Sequence, residues 1–214
     1  MNNAMTVFNS LIAQCSTTLG IYEYLESNTI PIDASDLLRW QYVLAVSALD
    51  KYIHDIVRIG MAEEFKGNRV VTDSFKGIKL ELSNALLIMN SSTPEIDFSN
   101  EILKQHSYKA FQDPDKISEA LSLIWDEKHK WAVISKNMTS TISEKDLKTQ
   151  LRNIVIRRNQ IVHEGDCLST LPPLQQQIIL KKDTTDVIAF ITDIVKAIEK
   201  SIPKTTTAPA GTVV

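Results

Sequence analysis

Apolar residues return at three- and four-residue spacing along most of this chain, and that period dictates α-helix. Only Ile78, Leu80 and Leu82 alternate as a strand would, and the stretch they open, 78–90, reads better as helix. Six Gly and seven Pro in 214 residues leave few tight turns, so the elements should be long. The pattern predicts helices over 4–26, 34–65, 78–90, 98–111, 114–126, 129–138, 143–164 and 184–202. Start signals accompany several of them. Asp33 with Asp36, and Ser143 with Asp146, have capping-box spacing; Asp113 precedes Pro114; Asp183 stands ahead of the last helix. Gly165 is placed to stop the 143–164 helix, and Pro172 and Pro173 mark a loop after it.

The expected fold class is therefore all-α: a helical bundle with two long antiparallel helices and several shorter ones, in one domain over 1–202. The segment "PKTTTAPAGTVV", 203–214, is small, polar and aperiodic, and is expected to be a disordered tail. At 43% hydrophobic and 23% charged, the composition is that of an ordinary soluble protein. A net charge of −3 excludes a protein that coats nucleic acid with its whole surface, though not one with a local basic site. Cys15 and Cys167 fit no metal or redox spacing and are expected to be reduced. The opening "MNNAMTVFNSL" lacks signal-peptide character, and no apolar run is long enough to span a bilayer. A cytoplasmic location is expected.

The densest cationic group is "RRNQIVHEGD", 157–166. Steps of three and four along its helix give Leu147, Leu151, Ile154, Arg158, Ile161 and Gly165, so Arg158 falls on the apolar stripe. A guanidinium buried without an anion is costly. One candidate partner is Asp50, which lies on the stripe Val43, Val46, Asp50, Ile53, Val57, Gly60 of the 34–65 helix. A bound phosphate is the other. No acidic residue occurs from Leu147 to His163, while Lys148, Arg152, Arg157 and Arg158 are cationic, a local field that attracts a phosphodiester. For Lys148 and Arg152 a solvated helix face is the simpler account. Asn159 and His163, four apart, share a face. Arg158 and His163 are roughly 140° apart around the helix, at about 100° per residue. One chain brings them together poorly; two copies side by side would do better. Histidine titrates near neutrality and can take and return a proton, although a plain helix-ending role is the alternative.

These residues resemble the signature of the HEPN superfamily: Arg158, the polar Asn159 directly after it, and His163 after four intervening positions. The upstream "VSALDKYIHDIVRIGM", 46–61, resembles the matching long helix of the RiboL-PSP HEPN branch, and the likeness extends over about 34–202. It implies a helical bundle that forms a homodimer, with two Arg/His motifs across a shared cleft. It further implies a metal-independent endoribonuclease acting on RNA, of the kind found in toxin–antitoxin and antiphage systems, with an antitoxin or defence-system protein as a possible partner. By that resemblance the ribose 2′-OH attacks phosphorus, His163 transfers protons, Arg158 holds the phosphate and Asn159 positions one of them. Asp50, His54 and Arg157 would support the site, Asp50 by pairing with Arg157 or Arg158. Some toxins of the superfamily carry a tyrosine two residues after the histidine, where they are modified. Here that position is Gly165.

No Walker loop, dinucleotide fingerprint, His-Glu-x-x-His or paired Cys-x-x-Cys occurs, so neither cofactor nor metal is expected. Asp126, Glu127 and His129 suit a charged helix junction, and Trp125 and Trp131 suit core anchors rather than base-stacking platforms. The competing reading is a non-catalytic assembly module that binds RNA or a partner protein through the same helix pair.

Overall fold

Thr72, Asp113 and Ser143 each turn a side-chain oxygen back onto a backbone N–H two or three residues ahead, and each starts a helix there. The structure, a computed structural model, describes residues 2–168 and 175–203. In chain order the helices are α1 (Asn2–Ser27), α2 (Ser35–Phe65), α3 (Asp73–Lys76), α4 (Leu82–Met89), α5 (Pro94–His106), α6 (Pro114–Leu121), α7 (Lys130–Asn137), α8 (Glu144–Glu164) and α9 (Lys181–Ser201). The fold is all-α. Beyond the helices, the described residues add one antiparallel bridge, Cys167 to Gln176.

Helix α2 is the axis of the bundle and packs against α1, α5, α6, α8 and α9. Its residues Val46, Leu49, Ile53, Ile56 and Val57 are sealed from solvent, and they join Leu147 and Leu151 of α8 and Ile191, Ile194 and Ile198 of α9 in one core. Burial of such side chains stabilises the fold by about 1.5–3 kcal/mol each. Gly60 lets α2 come close to its neighbour: a Cβ there would sit 2.7 Å from the Ile124 side chain. Contacts fix the directions. Phe8 packs on Tyr52 while Cys15 lies against the Gln41 carbonyl, so α1 and α2 run antiparallel. Arg39, near the start of α2, meets Asp166, just beyond the end of α8. The two long helices expected from the sequence are joined by α1, of 26 residues, and α9, of 21.

Several boundaries differ from the sequence reading. Asp33 does not cap α2; its carboxylate accepts the Ser35 N–H at 2.8 Å, the first helical residue, and Asp36 pairs with Arg39 instead. The predicted 78–90 helix is confined to α4, with α3 before it. Helix α5 starts earlier than expected, with Pro94 in its first turn, and ends at His106, leaving 107–112 irregular. After α6 the chain tightens into i→i+3 bonds, Leu123 to Ala120 and Ile124 to Leu121, rather than continuing to 126. Asp183 sits inside α9 and accepts the Leu180 N–H at 3.2 Å. Trp125 and Trp131 are buried, and Cys15 and Cys167 are unpaired. The expected tail from 204 onward and the Pro172–Pro173 loop lie outside the described residues.

Candidate functional site

Helix α8 carries the motif and is defined at both ends by its own sequence. The Ser143 hydroxyl oxygen accepts the Asp146 N–H at 3.1 Å. Gly165 ends the helix in the left-handed region, φ 61°, where glycine pays no Cβ penalty. Asp166 follows with φ 60°, a conformation that aspartate tolerates. That second left-handed residue turns the Asp166 carboxylate inward, where it is wholly buried. It accepts a hydrogen bond from Arg39 Nε at 2.8 Å and another from Arg157 Nη2 at 2.9 Å, and Arg157 Nη1 pairs with its other oxygen. Arg39 Nη2 donates to the Gln177 carbonyl and the Gln177 N–H donates to the Asp166 carbonyl, both at 2.8 Å. One carboxylate thus ties α2, the end of α8 and the segment leading to α9.

Of the five lysines and arginines of α8, Lys145 is exposed in the first turn and the other four meet different fates. Lys148 lies 3.5 Å from Asp115, and Arg152 reaches Asp115 at 2.7 Å and Asp113 at 3.6 Å. Arg152 foremost holds the Asp115 carboxyl below the usual carboxylate range. Arg157 is spent on Asp166. Arg158 has no hydrogen bond or ion pair among the described residues, and its Nε is buried without a partner. Burial pulls the guanidinium below its ordinary pKa, opposed by the charge of Asp50; an arginine stays protonated even so.

Asp50 therefore pairs with neither Arg157 nor Arg158, correcting the sequence expectation. Its carboxylate accepts the Phe111 N–H at 2.5 Å and lies 4.0 Å from His54 Nε2. His54 Nε2 is 3.1 Å from the Lys109 carbonyl, an acceptor only, so in this contact the imidazole donates. The His54 ring also stacks obliquely on Phe111, centroids 4.5 Å apart. Both supporting residues of α2 are occupied in holding the 107–112 segment, and the charge of Asp50 also acts on Arg158.

Asn159 and His163 are exposed on α8, together with Ile156 and Val162, which leave 56% and 47% of their surface to solvent. Arg158 is half-buried. No described contact links Arg158 to His163. The structure thus sets Asp50 where its charge acts on Arg158, with His54 beside Asp50, and presents Asn159 and His163 on the open side of the helix. Asp166 was missed as a site residue, although it directly follows the helix-ending glycine; Arg39, its partner, gives no local signal. Among the described residues no cluster of three or more His, Cys, Asp or Glu is placed to hold a metal. Among the described residues no helix is long and apolar enough to cross a membrane.

The profile of the RiboL-PSP-HEPN family matches residues 11–204. The chain belongs to that family. Comparison with curated proteins and with solved structures gave no match. Membership of this HEPN family supports a nuclease or RNA-related role, since HEPN domains often bind RNA and dimerise.

Proposed function

We propose that this HEPN protein is a metal-independent endoribonuclease whose working form is a homodimer, with Arg158 of one chain and His163 of the partner subunit converging on one phosphodiester. The observation that carries the reading is Arg158: of the four cations from Lys148 to Arg158, three are neutralised by the fold, and this one keeps a buried Nε without a partner. A phosphate oxygen supplies the missing acceptor and the missing charge. Because Arg158 turns toward the Asp50 corner and His163 faces solvent, one chain separates what the reaction must combine. The exposed Ile156 and Val162 beside the motif offer apolar surface for a second copy.

In the proposed reaction His163 takes the proton of the ribose 2′-OH as its oxygen bonds to phosphorus. The bond from phosphorus to the 5′-oxygen breaks and the imidazolium returns its proton to that oxygen, leaving a 2′,3′-cyclic phosphate and a 5′-hydroxyl. Arg158 stabilises the charge that grows on the non-bridging oxygens, and Asn159 positions the phosphate or the imidazole. Asp50 and His54 act by shaping the corner, and Arg157 by anchoring the helix. Residues 1–202 form the domain that carries this chemistry, in a cytoplasmic toxin–antitoxin or antiphage setting with a partner protein.

Purified protein incubated with structured and single-stranded RNA in excess chelator tests the proposal. Cleavage by wild type that is lost in Arg158→Ala and His163→Ala is expected; intact RNA, or equal cutting by the His163 variant, contradicts it. A second reading, a non-catalytic assembly module, is favoured by one feature: no described residue hydrogen-bonds His163 to fix its tautomer.

A further inference from the structure

The 107–112 segment, "SYKAFQ", joins α5 to α6 without regular structure, yet it is pinned at three points. Asp50 accepts the Phe111 N–H, His54 donates to the Lys109 carbonyl, and the Phe111 ring is flanked by His54 and His106 at 4.5 and 5.6 Å. Phe111 and His106 are buried. Burial foremost, then the neighbouring Lys109 and His54, pulls the His106 imidazole down to about 4, so it is a neutral part of this platform at pH 7.

What the pinned backbone displays is polar and aromatic. Phe111 covers α2, whereas Tyr108 leaves 81% of its surface in solvent. The Lys109 ammonium has no hydrogen bond or ion pair among the described residues, and the residue is exposed. Asp50, which holds this segment, is also the carboxylate whose charge acts on Arg158. Arg158, on which the charge of Asp50 acts, and Lys109, two residues before the Phe111 N–H that Asp50 holds, are thus cations tied to the same carboxylate, with the exposed Tyr108 ring beside the second. Single-stranded nucleic acid is a polymer of alternating anions and flat rings. Proteins that track it combine cations spaced along a groove with aromatic side chains on which bases stack. An exposed tyrosine adjacent to an unpaired lysine, on a backbone held by Asp50 and His54, has that chemistry.

We propose that residues 107–112 form a substrate-binding strap. Lys109 holds a phosphate neighbouring the one at Arg158, and Tyr108 stacks on a base of single-stranded RNA. The inference deepens the nuclease reading and rests on it for the position of the scissile phosphate, but RNA binding by the strap can be measured without cleavage.

The test uses the full chain and a fluorescein-labelled single-stranded oligoribonucleotide of mixed sequence. Tyr108→Ala, Lys109→Ala and Lys109→Arg are assayed for kcat and KM in excess chelator, and for affinity by fluorescence anisotropy on a His163→Ala background. Because both side chains are exposed, unchanged thermal melting is expected throughout. Each alanine variant should raise KM and Kd about tenfold with kcat preserved. Lys109→Ala should also lower the slope of log affinity against log salt by about one, and Lys109→Arg should restore both. Affinity lost in the variants supports the strap even where wild type cuts nothing, a result that sinks the nuclease reading alone. Unchanged Kd and salt slope in both alanine variants overturn the strap, whatever the cleavage result.

Discussion

The knot around Asp166 and the corner around Asp50 are reached from consecutive residues of α8, Arg157 and Arg158, and they treat the two guanidiniums in opposite ways. In the knot, a wholly buried carboxylate receives Arg157 and Arg39 together, so its charge is matched within the fold. In the corner, the carboxylate is committed to the Phe111 N–H and lies beyond ion-pair distance from Arg158, whose Nε stays unbonded. A satisfied buried charge is a structural device; an unsatisfied one next to solvent is available to a ligand. Position on the apolar stripe does not distinguish the two cases. The partners do.

The largest expected effect breaks the knot. Asp166→Ala leaves two guanidiniums facing one another without an anion, and should cost roughly 3–5 kcal/mol in urea unfolding. A loss below about 1 kcal/mol would show that the knot is not the anchor of α8. Next comes the direct contrast between the arginines. Arg157→Ala should cost about 1.5–3 kcal/mol, the value of charge-assisted hydrogen bonds, whereas Arg158→Ala should cost under about 1 kcal/mol. Equal losses would erase the distinction between knot and corner.

A third carboxylate sharpens the same comparison with a smaller effect. Glu64 is only 2% exposed, accepts the Thr72 N–H at 3.2 Å and has a buried Oε1 with no partner. Burial pushes its pKa up to about 7, against the Thr72 hydrogen bond and the charge of Arg69. Its folded pKa therefore lies above its unfolded one. The associated stability is fully present below about 4.5 and is lost as pH rises to about 7. Glu64→Gln should flatten this slope and raise stability by about 1–2 kcal/mol at pH 8, read by thermal melting across pH. An unchanged pH profile would place the charged carboxylate in a better-solvated site than its burial implies.

What the sequence disclosed follows the same division between local and distant partners. Ser143 with Asp146, Asp113 with Pro114, and Gly165 act within one turn of themselves, so α8 and the start of α6 were legible. The string Arg158, Asn159, His163 was legible as a motif for the same reason. Asp33 misled because its spacing to Asp36 suits a capping box, while its carboxylate bonds Ser35 two residues ahead. Residues 107–111 read as the end of a helix in the sequence because their irregular course depends on Asp50, 61 residues away from Phe111. Asp166 is 127 residues from Arg39, and Arg152 is 37 from Asp115; no periodicity encodes either pairing. The apparent cationic field of α8 was thus overcounted, because its counter-charges come from α6 and from the turn after Gly165.

Mixing Arg158→Ala protein with His163→Ala protein, after subunit exchange, tests the central claim most directly. If Arg158 works with His163 of the partner subunit, each mixed dimer regains one intact site, and RNA cleavage should return to roughly a quarter of wild type by random pairing. Mixtures that stay as inactive as either variant alone, beside an active wild type, would contradict a site shared between two chains.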